Sequence, residues 1–124
     1  MNTNEINVLA LAYLGDAVYE LKIRNYLISK GIYKVNNLQN KALNYVTAKN
    51  QCKYINMLID NEFLTEEEIE IVKRGRNAKV NSHPKNADIL EYKWATALET
   101  LFGYLEVNKN YERIEEIIKI IVGE

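Results

Sequence analysis

The stretch EINVLALAYLGDAVYELKIRNYLIS, residues 5–29, decides the fold class. Val8, Leu11, Leu14, Val18, Leu21 and Leu27 or Ile28 recur at three- and four-residue steps, or multiples of them, the period of a helix and not of a strand. Asn4 is a candidate N-cap for this first helix and Gly31 a candidate C′ residue. The same period continues along the chain. It predicts helices over 37–46 and over 48–60, the latter with Thr47 as N-cap and Ile55, Leu58 and Ile59 facing inward. Thr65 followed by Glu68 forms a capping box, so a further helix starts at 66 and frays near Gly75. Two more fit 87–106 and 111–122, with Asn110 capping the last. Residues 75–86 hold the only Pro and no apolar period, and they read as an exposed loop. The expectation is an all-α single domain of about six helices spanning residues 1–124.

Composition narrows the class further. A chain of 124 residues is too short for a (β/α)8 barrel, and one Pro with five Gly leaves few places to turn. The single Cys, Cys52, excludes a disulfide framework and a CxxC zinc knuckle. His83 stands alone and makes no ligand set. No apolar run reaches the roughly 18–20 residues that span a bilayer, and the N-terminus lacks a signal-peptide layout, so a cytoplasmic protein is expected.

A net charge of −1 argues against a nucleic-acid binder only until it is resolved along the chain. Residues 21–60 carry seven Lys and Arg against Asp60 alone. Residues 71–87 carry Lys73, Arg74, Arg76, Lys79 and Lys85 with no acid. A polyanion responds to such local fields. The acids gather at 62–70 and toward the C-terminus, and the segment 62–70 suggests no function of its own.

Three segments carry chemistry. In the first, Gly15 and Asp16 interrupt an otherwise strong helix, where Gly costs about 1 kcal/mol against Ala. Asp16 and Glu20, four apart, share a face. In the second, Glu99 lies among apolar residues, with Thr96 on its face and Asp88 pointing almost the same way. A carboxylate so placed needs a partner. In the third, Lys73, Arg74, Arg76, Asn77 and Lys79 surround a Gly in a pattern suited to phosphate contacts. Each has a plainer alternative: Gly15 permits close helix packing beside a solvated Asp16, Glu99 pairs with a Lys or Arg, and the cations are solvated surface.

These residues resemble a known family. Leu14-Gly15-Asp16-Ala17-Val18 is similar to the ribonuclease III signature helix, and Leu98-Glu99-Thr100-Leu101-Phe102-Gly103 to its second motif. Together, residues 12–20, 74–79 and 85–88 resemble the Mini-ribonuclease III branch, a catalytic domain without a double-stranded-RNA-binding domain. The resemblance covers about residues 6–107. It implies that Asp16 and Glu99 are catalytic and hold a divalent metal, Mg2+. Glu20, Asp88 and the Thr96 hydroxyl are lesser candidates. The longer ribonucleases III carry a Glu where this chain has Ala12 and an Asp where it has Thr96. Both departures suit the branch and leave the metal count open.

The resemblance further implies hydrolysis of double-stranded RNA, maturation of the 23S ribosomal RNA precursor, and a homodimer whose two sites each cut one strand. The candidate RNA contacts are Lys73, Arg74, Arg76, Asn77, Lys79 and Lys85, with Lys49 and Lys85 the weaker ones. Tyr13, Leu14, Val18, Tyr19, Trp94 and Phe102 are apolar surplus for a dimer face or for the core. The competing readings are a non-catalytic helical scaffold dimer that binds structured RNA or a ribosomal protein, and an all-α interaction domain without RNA. Retention of both Asp16 and Glu99 argues against the scaffold.

Overall fold

The computed structural model describes residues 6–79 and 88–124. Its six helices are α1 (Val8–Ser29), α2 (Val35–Val46), α3 (Ala48–Asp60), α4 (Glu66–Arg76), α5 (Ile89–Val107) and α6 (Tyr111–Val122). No strand occurs among the described residues. The all-α expectation of about six helices is met.

Helix α5 is the axis of the molecule. It packs against α1, α3, α4 and α6. Residues 95–98, 100–103 and 105 are buried, on every side of the helix. Such a helix is apolar all round, as a central element must be. Around it gather Leu11, Tyr19, Ile23 and Leu27 of α1, Ile55 and Leu58 of α3, Ile71 and Val72 of α4, and four Ile of α6. Helix α2 has no buried residue and lies at the periphery against α1 and α3.

Local signals set most helix ends. Thr47 caps α3 through its hydroxyl to the Asn50 N–H. The Thr65–Glu68 capping box is formed in both directions. Gly31 adopts φ 88° just beyond α1, a conformation that strains any side chain with a Cβ. Four expectations need correction. The cap of α1 is Asn7, which accepts from the Leu9 N–H at 2.8 Å, and Asn4 lies outside the described residues. Helix α2 begins two residues early, at Val35. Asn110 occupies the N-cap position of α6 but makes no side-chain capping bond. The expected loop at 75–86 loses its first two residues to α4, because Gly75 is buried where that helix meets α5. A Cβ there would stand 2.5 Å from Thr100 Oγ1, so only Gly allows the approach. Residues 80–87, including His83 and Lys85, lie outside the described residues.

The acids of 62–70 have a structural use. Glu66, Glu67 and Glu68 occupy the first turn of α4, and Lys73, Arg74 and Arg76 its last, each complementing the helix dipole. Glu68 is buried and ion-paired to Arg113 at 2.8 Å, and Arg113 also donates to the Phe63 carbonyl. Burial raises the Glu68 pKa, but the bonds from Arg113 and Thr65 outweigh it and hold the carboxyl below its usual range. This pair ties α4 to α6.

Candidate active site

The site is made where α1 crosses α5. A Cβ built at Gly15 would collide with the carbonyl oxygen of Glu99, and one at Gly103 with that of Leu11. Each glycine thus meets the backbone of the other helix. Position 15 faces 99 and position 11 faces 103, so the helices run antiparallel and touch one turn apart. The Gly15 that weakens α1 as an isolated helix is what lets it reach α5. The same close packing brings Asp16, the next residue, to the crossing.

At this crossing Asp16 and Glu99 hydrogen-bond to each other. Asp16 is exposed, and Glu99 is largely covered. Burial, then the charge and hydrogen bond of Asp16, push the Glu99 carboxyl up to about 8. Among the described residues no Lys or Arg forms an ion pair with either carboxylate. The plainer reading of Glu99 as one half of a salt bridge fails there. Two facing carboxylates without a protein cation are oxygen donors of the kind that could hold a hard cation keeping most of its waters. Among the described residues no cluster of three or more His, Cys, Asp or Glu occurs, so a closed protein cage is absent there.

The lesser candidates are otherwise engaged. Glu20 pairs with Arg24 at 2.8 Å and reaches Glu99 only through its field. Asp88 is the N-cap of α5, accepting from the Leu90 and Glu91 N–H groups. The Thr96 hydroxyl donates to the Tyr92 carbonyl at 3.0 Å. One neighbour escaped the sequence reading: Gln51 of α3, 4% exposed, lowers the Glu99 pKa as a hydrogen-bond donor. Its spacing with Ile55 and Leu58 was a signal that it lies on the buried face of α3.

The basic candidates end α4 and follow it. Lys73, Arg74, Asn77 and Lys79 are exposed, with Lys73 4.0 Å from Glu70. Arg76 differs. Its guanidinium lies 5.0 Å from the Trp94 ring centre, and its Nε–H donates to Asn77 Oδ1. This stack fixes the end of α4 to α5. Lys49 is exposed on α3.

The family model for the ribonuclease III domain matches residues 9–110. The chain belongs to the ribonuclease III family. Its relatives place it in the Mini-ribonuclease 3 branch. Mini-ribonuclease 3 of Enterococcus faecalis is 49% identical over 114 residues, 92% of this chain and 86% of that one. That of Streptococcus pneumoniae is 44% identical over 118 residues, 95% and 92% of the two chains. A crystal structure of a Fusobacterium nucleatum protein superposes with a TM-score of 0.84 at 37% identity, covering 96% of this chain and 93% of the other. The ribonuclease III domain makes the chain an RNA endonuclease, a hydrolase. Among the described residues no helix is long and apolar enough to cross a membrane.

Proposed function

We propose that this ribonuclease III-family chain hydrolyses phosphodiester bonds in double-stranded RNA, with Asp16 and Glu99 as catalytic residues holding Mg2+. The observation that carries this is the Asp16–Glu99 pair, two hydrogen-bonded carboxylates with no ion-pair partner among the described residues. Bound there, the cation supplies Lewis-acid activation of water and neutralises charge on the phosphate. The chain's own part is positioning. Helix α5 holds Glu99 under cover, and exposed Asp16 stands on the RNA side. In-line attack by water leaves a 5′-phosphate and a 3′-hydroxyl.

Duplex RNA is recognised through phosphates and 2′-hydroxyls and not by a base code in its deep groove. Lys73, Arg74, Asn77 and Lys79 are suited to those contacts because their side chains are exposed. Arg76 joins them from its stack on Trp94, and Lys85, outside the described residues, completes the set. The substrate proposed is the 23S ribosomal RNA precursor, in the cytoplasm.

A homodimer supplies one site per strand. Support comes from α1, whose outward face leaves Leu9, Tyr13 and Leu21 exposed, Tyr13 by 85%. Ile89 and Leu90 add exposed apolar surface at the start of α5. Val18, Tyr19 and Phe102, by contrast, are core residues. The test is cleavage of a defined RNA duplex by wild type, Asp16→Asn and Glu99→Gln, with Mg2+ and with chelator.

A further inference from the structure

The geometry points to Gln51 as a positioning residue for the reaction, an uncharged donor that fixes the orientation of the Glu99 carboxylate toward Asp16. The inference deepens the proposed Asp16–Glu99 site and rests on it. It begins from an anomaly of burial. Gln51 is one of only four buried polar or charged residues among those described, with Glu68, Thr96 and Thr100. The other three have evident structural duties. Glu68 caps α4 and pairs with Arg113, while Thr96 and Thr100 return their hydroxyls to carbonyls of α5. Gln51 has no such duty within its own helix. Its side chain is buried in a helix packed on α5, and it lowers the pKa of Glu99 there as a hydrogen-bond donor.

The choice of an amide has a chemical reason. Lys or Arg at this position would neutralise Glu99 permanently and compete with any divalent cation for it. A hydroxyl on Ser or Thr is too short to cross between helices. Gln donates an N–H without adding charge, so it occupies one lone pair of Glu99 and leaves the carboxylate's negative charge and its other lone pairs available. Helix α3 holds the amide in place. Ile55 and Leu58 on the same face are fully buried, and Thr47 caps the helix one turn before Gln51. Outer partners of this kind orient the groups that hold a metal, and their loss typically costs roughly 10–100-fold in affinity or activity.

The test uses the full chain and Gln51→Met, which keeps length and volume and removes the amide. Cleavage of a duplex RNA is measured against Mg2+ concentration, beside wild type and Glu99→Gln. The expected result is a rise of roughly 10-fold or more in the Mg2+ concentration giving half-maximal rate, with RNA affinity in chelator unchanged. A purely structural role lowers the melting temperature and leaves the Mg2+ dependence of the folded enzyme as in wild type. A readout free of activity uses the wild-type chain alone. It has only two glutamines, Gln39 and Gln51, and Gln39 is exposed. The Gln51 side-chain amide resonances are expected to shift when Mg2+ is added to wild type, and to stay put in Glu99→Gln. Wild-type Mg2+ dependence in Gln51→Met overturns the inference, as does an amide signal indifferent to Mg2+ in a wild-type enzyme that Mg2+ activates. Should Gln51→Met fail to fold, the resonance measurement alone decides. Undiminished cleavage by Glu99→Gln is the distinct result that removes the site itself.

Discussion

Asp16→Asn should stabilise the protein while destroying its activity, and the structure gives the size of the effect. The Glu99 carboxyl is lifted from 4.5 to about 8, first by burial and then by Asp16. At about 1.4 kcal/mol per pH unit the whole perturbation is about 5 kcal/mol. Burial is the largest single cause and Asp16 enters twice, by charge and by hydrogen bond, so its share is taken as on the order of 1–2 kcal/mol. A chain of this size converts that into a melting-temperature gain of roughly 3–8 °C.

The gain depends on pH with a defined sign. Between 4.5 and about 8 the folded chain keeps a proton on Glu99 that the unfolded chain releases, so wild-type stability falls as pH rises through that window. Near pH 5 Glu99 is neutral and Asp16→Asn gains little. Near pH 9 Glu99 is charged, and the gain is full. The assay is thermal unfolding in chelator at pH 5, 7 and 9. Mg2+ adds a second arm. At ten times its dissociation constant it should stabilise wild type by about 1.4 kcal/mol and leave Asp16→Asn nearly unmoved. A variant no more stable than wild type at pH 9, or equal Mg2+ stabilisation of both, refutes the reasoning.

Other outcomes follow from the same geometry. Gly15→Ala or Gly103→Ala drives a methyl into the facing backbone, and either should cost about 1–3 kcal/mol or more in a denaturant titration, with cleavage lost before the fold is. Replacing Arg74 and Lys79 by Ala should raise the Kd for duplex RNA and reduce the salt slope by about one for each phosphate no longer neutralised, with the single-turnover rate at saturation nearly unchanged. Tyr13→Asp with Leu21→Glu should convert a dimer to a monomer in light scattering, because both side chains stand exposed on the outer face of α1.

Much of this was legible in the sequence wherever the cause is local. The Thr65–Glu68 box and the Thr47 cap act within one turn, so short patterns disclose them. Close packing of α1 was legible through Gly15, whose place mid-helix costs stability, but Gly15 did not name α5 as the partner. The reading failed where helical periodicity was extended past a helix end. Asp88 lies on the extrapolated face of Glu99, but it caps the start of α5 instead of lying within it. Tertiary partnerships were also invisible. Glu68 finds Arg113 across 45 positions, so an acid legible only as half of a capping box is also buried and ion-paired. Gln51 sits between Asn50 and Cys52 in a polar stretch, and only its register with Ile55 and Leu58 marks it as inward-facing. Helix α1 is apolar on both faces because α5 covers one, and the proposed second copy would cover the other.

The central claim is that Asp16 and Glu99 together hold the cation that the reaction needs. The most direct measurement is the rate of duplex-RNA cleavage against Mg2+ concentration for wild type, Asp16→Asn and Glu99→Gln, each shown to be folded and to bind RNA in chelator. The account predicts Mg2+-dependent cleavage by wild type and a loss of at least about 100-fold in each variant, with RNA binding retained. Cleavage by wild type in chelator, or near-normal cleavage by either variant, would contradict it.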